Sequence, residues 1–267
     1  MTATINFNAR LLAEVKRKHS QLCLGLDLDP ERTSSLHGNG LKSLQAAARL
    51  IVDATCHLVW GYKLNFAFFE RFGSAGYAWL ERLAAHIGDR ALIIGDAKRG
   101  DIGNSARNYA QAVFGHLNLD AVTVNPYMGR DALEPFIADP ARGAFILCLT
   151  SNPGSGDFQR YPAERPLYLE VAAWAERLNG AGNVGLVTGA THPGDLAGIR
   201  RAAPSLPFLA PGIGAQGGSL EQALAAGTNE TPTIISVSRG VLYAGEGTLE
   251  DIVAAIGDYN RQISNLA

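Results

Sequence analysis

An acid, a lysine and a second acid (Asp96, Lys98 and Asp101) lie within six positions where an apolar run gives way to Arg99-Gly100-Asp101-Ile102-Gly103-Asn104. Side chains alternate along an extended strand, so Asp96 and Lys98 share a face while Ala97 turns away. A lysine flanked by carboxylates has its ammonium form favoured. That suits delivery of a proton to a developing carbanion and is unsuited to Schiff-base chemistry, which needs the free amine. A second cluster, Pro211-Gly212-Ile213-Gly214-Ala215-Gln216-Gly217-Gly218, matches G-x-G-x-x-G. In a dinucleotide fold this turn follows the first strand, with most of the domain still to come. Here it begins at residue 212 of 267. A late glycine-rich loop offers backbone N–H groups to an anion, and Arg239 adds a guanidinium capable of bidentate contact. Gly212, Gly214 and Arg239 therefore point to a phosphate monoester.

These residues need a scaffold that gathers strand ends. Short, nearly continuous apolar runs recur at 22–28, 58–65, 91–98, 121–124, 144–150, 184–188, 207–211 and 234–237. Such runs fit strands buried on both faces of a parallel sheet. Helical spacing lies between them, as in Leu80, Leu83, Ala84, Ile87 and in Tyr109, Val113, Phe114, Leu117. Near the end, Leu249, Ile252, Val253 and Ile256 follow Thr248, with Asp251 placed as in a capping box. The alternation predicts an α/β fold, a (β/α)8 TIM barrel forming one domain over residues 1–267, with 1–20 an N-terminal helical extension. A doubly wound open sheet uses the same units and is the structural alternative. In a barrel the active end is where the strands' C-termini converge. Asp27, Lys63, Asp96, Lys98, Ser151, the glycine loop and Arg239 all fall at such ends. The irregular stretch 151–165 reads as a functional loop and a plausible lid.

Composition narrows the classes further. The chain is 47% hydrophobic, and 23 basic against 25 acidic residues leave a net charge of −2. Disorder and broad binding of a nucleic-acid backbone are excluded. Cys23, Cys56 and Cys148 form no CxxC pair, so neither a disulfide framework nor a zinc knuckle is expected. No stretch reads as a signal or membrane span, which makes a reducing cytoplasm the expectation. His19, His37, His57, His86, His116 and His192 show no ligand spacing, and no metal is expected. Lys16-Arg17-Lys18 reads as a solvated helix face, Phe66, Phe68, Phe69 and Phe72 as core or interface packing, and Cys23 and Cys148 as inert small hydrophobes.

Asp96-x-Lys98-x-x-Asp101-Ile102-Gly103-Asn104 resembles the signature of the orotidine 5′-monophosphate decarboxylase family, and the segment from Pro211 resembles its phosphate loop. The resemblance runs from about Leu22 to Tyr243 and is greatest with the longer bacterial branch. It implies cofactor-free decarboxylation of orotidine 5′-monophosphate to UMP and CO2, the last step of de novo UMP synthesis, by a homodimer whose sites are completed across the interface. Lys98 would protonate C6 of the pyrimidine, Asp96 would position Lys98 near the scissile carboxylate, and Asp101 would act in the opposite subunit's site. Asp27 and Lys63 would hold ribose hydroxyls, Ser151 would bond the pyrimidine amide edge, and Ile102 and Ser105 would contact substrate. Gln216 would bridge the phosphate to the closing loop, beside Gly212, Gly214 and Arg239. The sequence departs from the family pattern at Ser105, where Thr is commoner, and at Ser238, where Gly is often found. Competing readings are a sugar-phosphate lyase that holds Mg2+ on the same carboxylates, a phosphate-ligand sensor without chemistry, and a nicotinamide oxidoreductase. A missing electron sink agrees with the first reading, since the barrier must then fall through preorganised electrostatics.

Overall fold

The computed structural model describes residues 5–32, 34–189, 193–213 and 219–266. Eight strands pair in parallel in chain order: β1 Leu22–Gly25, β2 Gly61–Asn65, β3 Leu92–Arg99, β4 Ala121–Val124, β5 Gly143–Leu149, β6 Val184–Thr188, β7 Phe208–Pro211 and β8 Thr233–Val237. Strand β8 closes on β1 through Leu22↔Ile235 and Leu24↔Val237. Closure settles the choice between barrel and open sheet. Each apolar run of the sequence contains one strand, to within about three residues at either end.

The surrounding layer is helical. It comprises α2 Leu41–Thr55, α3 Phe66–Glu70, α4 Gly73–Ile87, α5 Gly103–Ala110, α6 Arg130–Ile137, α7 Leu167–Leu178, α8 Pro193–Ala202, α9 Leu220–Ala225, α10 Arg239–Leu242 and α11 Leu249–Leu266, and α1 Phe7–Lys18 precedes β1. Helix α5 widens into a π-type turn over Gln111–His116, so the regular helix expected from Tyr109 to Leu117 is interrupted. At α11 the cap is reciprocal. Asp251 N–H donates to Thr248 Oγ1 at 3.1 Å, and Thr248 N–H donates to Asp251 Oδ2 at 3.2 Å. Lys16 and Arg17 are solvated as expected, but Lys18 turns to donate to the Cys56 carbonyl, tying α1 to the end of α2.

Two cores result. The outer one lies between strands and helices and takes in Phe66 and Phe69. The inner one fills the barrel and is sealed at its floor by α1. Phe7, Leu11 and Val15, four residues apart, form a stripe that packs on Cys23, Trp60, Leu92, Phe145 and Leu209. Phe7 meets Phe145 edge-on at 6.0 Å, and its ring occupies the space beside Gly143, where a Cβ would lie 2.4 Å away. Burial of side chains this size stabilises by about 1.5–3 kcal/mol each.

Alternation then carries the inner faces from apolar to polar. Cys23 and Gly25 lead to Asp27, Gly61 to Lys63, Leu92 and Ile94 to Asp96, Ala121 to Thr123, and Ile234 to Ser236 and Ser238. Apolar floor and charged mouth are one pattern, read along the strands.

Candidate active site

At the mouth, Asp27, two residues past the end of β1, joins side chains from β2 and β3 in a row of alternating charge. Lys63 Nζ lies 3.1 Å from Asp96 Oδ2 and 3.8 Å from Asp27 Oδ2, and Lys98 Nζ lies 2.6 Å from Asp96 Oδ1. Burial alone would push Asp96 up, but Lys63 and Lys98 outweigh it and hold the carboxyl well below the usual carboxylate range. Burial would likewise lower Lys63, yet Asp27 and Asp96 hold its ammonium above the ordinary lysine value. Both groups are charged at neutral pH. Ser238 extends the row by donating its hydroxyl to Asp27 Oδ2 at 2.5 Å. The space for that hydroxyl exists because residue 25 is glycine: a Cβ there would sit 2.0 Å from Ser238 Oγ. The other oxygen, Asp27 Oδ1, is buried and has no hydrogen-bond partner among the described residues.

Simple alternation does not bring Lys98 to Asp96. Strand β3 pairs with β4 at Gly95↔Val122 and again at Arg99↔Val124, so Asp96, Ala97 and Lys98 together face Thr123 alone. The bulge puts Lys98 at φ +48°, in the left-handed region. Its side chain is half exposed, against 11% for Asp96, and folds back over the rim to reach the carboxylate. The sequence reading missed Thr123. Its hydroxyl donates to Asp96 Oδ1 at 3.0 Å and accepts from Lys98 N–H at 3.0 Å. One signal for it was present, a lone hydroxyl in the Ala-Val-Thr-Val run, two positions from an inward alanine.

A cavity of about 280 Å3 opens beside the row, lined by Asp27, Lys63, Asn65, Phe68, Gly212 and Arg239 among others. Gly212 has φ +89°, which a side chain would strain, and Arg239 is exposed at the first turn of α10. Asp27, Lys63, Gly212 and Arg239 thus share one cavity, with Asp96 and Lys98 joined to it through ion pairs. Gly214 and Gln216 lie outside the described residues. A larger groove, about 790 Å3, runs along α5 and α6 and contains none of the charged row.

Three expected site residues sit apart. Asp101 leaves the row and accepts Ile102 N–H at 2.8 Å; Ile102 is exposed; Ser105 lines an outer depression with Arg99 and Tyr109. Ser151 follows β5, close enough to Gly189 that a Cβ at 189 would lie 2.9 Å from its backbone. The loop it opens is pinned by Gln159, whose side chain accepts from Thr150 N–H at 2.7 Å and donates to Thr150 Oγ1 at 2.9 Å. Arg160 ion-pairs with Asp195 at 2.6 Å, tying that loop to α8. Burial pushes the Cys23 thiol up to about 12 and raises Cys148 too, so neither is a nucleophile at neutral pH. Among the described residues, no three His, Cys, Asp or Glu side chains converge as a metal-ligand set.

The family model described as "Orotidine 5'-phosphate decarboxylase / HUMPS family" matches residues 20–252. A protein of Roseiflexus castenholzii named orotidine 5′-phosphate decarboxylase is 51% identical over 248 residues, covering 91% of both chains. One of the same name from Thermomicrobium roseum is 46% identical, covering 90% of this chain and 88% of that one. Among solved structures, the OMP decarboxylase of Leishmania donovani superposes with a TM-score of 0.85 at 39% identity, covering 98% of each chain.

Proposed function

The chain belongs to the orotidine 5′-phosphate decarboxylase / HUMPS family, and from that premise we propose that it decarboxylates orotidine 5′-monophosphate to UMP and CO2. The observation that carries this reading is the charged row in which Asp96 holds the Lys98 ammonium beside a cavity containing Asp27, Lys63 and Arg239. Arg239 and the loop from Gly212, with Gly214 and Gln216, take the phosphate. Asp27, through its unpartnered Oδ1, and Lys63 take the ribose hydroxyls. Ser151 takes the amide edge of the base. The C6–carboxylate bond breaks, its electron pair stays on C6, CO2 leaves, and the proton of Lys98 moves to C6. Lys98 then regains a proton from solvent.

No electron sink is needed if the donor is already in place. Remote contacts to phosphate and ribose drive closure, and their binding energy is expressed at the reacting carbon. The Mg2+-dependent alternative asks Asp96 for a metal ligand. Both its oxygens already accept from ammonium groups, and Oδ1 from Thr123 as well, which favours the metal-free reading.

A homodimer belongs to the same proposal. Ile102 is 53% and Tyr127 86% exposed, on loops that follow the paired strands β3 and β4. Beside them Asp101 is half-buried and Ser105 is exposed. An apolar rim of this kind fits a second copy of the chain, into whose site Asp101, Ile102 and Ser105 would reach. No helix among the described residues is long and apolar enough to cross a membrane. Cys23, Cys56 and Cys148 form no disulfide with one another, and a cytoplasmic location is part of the same proposal. The test is the ultraviolet change on adding orotidylate to chelator-treated protein. Steady turnover to UMP is expected; absence of turnover, or turnover only after Mg2+ is restored, would refute the reading.

A further inference from the structure

We propose that Thr123 is a positioning residue for this reaction, acting through Asp96 and Lys98; the inference rests on the decarboxylase reading above. Three residues of β3 face this one residue of β4. A bulge of that size removes the regular ladder partner of Lys98 N–H, and an N–H shielded from water and left alone is costly in proportion to that shielding. Thr123 Oγ1 supplies the missing acceptor at 3.0 Å. The bond also holds Lys98 in a left-handed conformation that any residue with a Cβ disfavours.

The direction of the second bond is then fixed. An amide N–H only donates, and the ionised Asp96 carboxylate only accepts. The single hydroxyl proton of Thr123 therefore goes to Asp96 Oδ1, 3.0 Å away. The same Oδ1 receives the Lys98 ammonium at 2.6 Å. A ring is closed: Lys98 backbone, Thr123 hydroxyl, Asp96 carboxylate, Lys98 ammonium. One buried hydroxyl thus fixes the proton donor at both ends, through its main chain directly and through its charge by way of Asp96. Thr123 lines neither the phosphate grip nor the Asp27–Lys63 pair, so its effect belongs to the chemical step and not to binding.

The test compares wild type with Thr123→Val, which keeps the shape and removes the hydroxyl, and Thr123→Ser, which restores it. Loss of hydrogen bonds to a charged partner and of donor placement should lower kcat about ten- to a hundredfold in Thr123→Val. UMP affinity should stay within about threefold, and Thr123→Ser should recover most of the rate. Thr123→Ala carries the same comparison if the valine variant does not fold. A kcat for the variant lacking the hydroxyl within a factor of two of wild type would overturn the proposal. So would a parallel loss of kcat, UMP affinity and thermal stability that serine does not rescue, because that is the signature of a merely structural hydroxyl. A wild-type protein unable to decarboxylate orotidylate would refute the functional reading, and this inference with it; an active wild type beside an equally active Thr123→Val refutes the inference alone.

Discussion

Lys63 is the counter-ion on which the row depends, and Lys63→Met isolates that dependence. Its side chain is 7% exposed, and its ammonium lies 3.1 Å from Asp96 and 3.8 Å from Asp27. At an effective dielectric of about 20, unit charges at those separations attract by about 5 and about 4 kcal/mol, against several kcal/mol for taking each ion out of water. Methionine keeps most of the stem and deletes the charge. Asp27 and Asp96 would then share the wall with Lys98, half in solvent, as the one cation left in the row. Removing one partner of a buried pair costs about 3–5 kcal/mol, which in a domain of this size lowers Tm by about 6–20 °C.

The pH dependence has a definite sign. Asp96, depressed in the folded protein, contributes stability above its unfolded pKa of about 3.9, lost as pH falls through the lower folded value. Lys63, raised, contributes stability below about 10.4, lost only as pH rises beyond it. In the variant Asp96 loses one of the two cations that depress it and takes up its proton at higher pH. The gap in Tm between wild type and Lys63→Met should therefore be full at pH 7.5 and narrower at pH 4.5, read by circular dichroism. A variant as stable as wild type at pH 7.5, or a gap that widens on acidification, would refute the reasoning.

Lys98→Ala should abolish turnover while UMP binding by calorimetry is largely kept, and mixing it with inactive Asp101→Ala should restore part of the activity in heterodimers; no recovery after demonstrated subunit exchange would place Asp101 in its own chain's site. Gly25→Ala puts a Cβ 2.0 Å from Ser238 Oγ and breaks the bond to Asp27, so KM should rise about tenfold with a smaller change in kcat; an unchanged KM would separate Ser238 from substrate binding. Arg239→Ala removes an exposed guanidinium, so UMP affinity should fall about ten- to a hundredfold while uridine affinity and Tm stay level; equal losses for both ligands would remove Arg239 from the phosphate.

Much of the mouth was legible because a barrel turns sequence period into geometry. Leu92, Ile94 and Asp96 alternate on one strand, so an apolar floor leading to an acid at the rim could be read from residue types alone. Lys63 and Asp27 follow the same rule on β2 and β1. The β3 bulge could not be read, since it depends on how β4 pairs and not on β3's own residues. Alternation reached Asp96 as the partner of Lys98 by the wrong route, and the second expected carboxylate, Asp101, lies apart. Thr123 and Ser238 escaped for a related reason. A lone hydroxyl in an apolar strand has no periodicity, and its role appears only when the neighbour it bonds, Asp96 or Asp27, is placed across the sheet. Asp101, expected beside Lys98, instead accepts from Ile102 N–H at the start of its own loop.

The helix stoppering the barrel from below has a bearing on solvent. Phe7, Leu11 and Val15 meet Trp60 and Phe145 with almost nothing left open to water, so among the described residues the floor is closed beneath the lysines. Whatever wets or dries the reacting carbon must pass the rim. Any segment that settles over the entrance therefore sets the dielectric of the chamber above that closed floor.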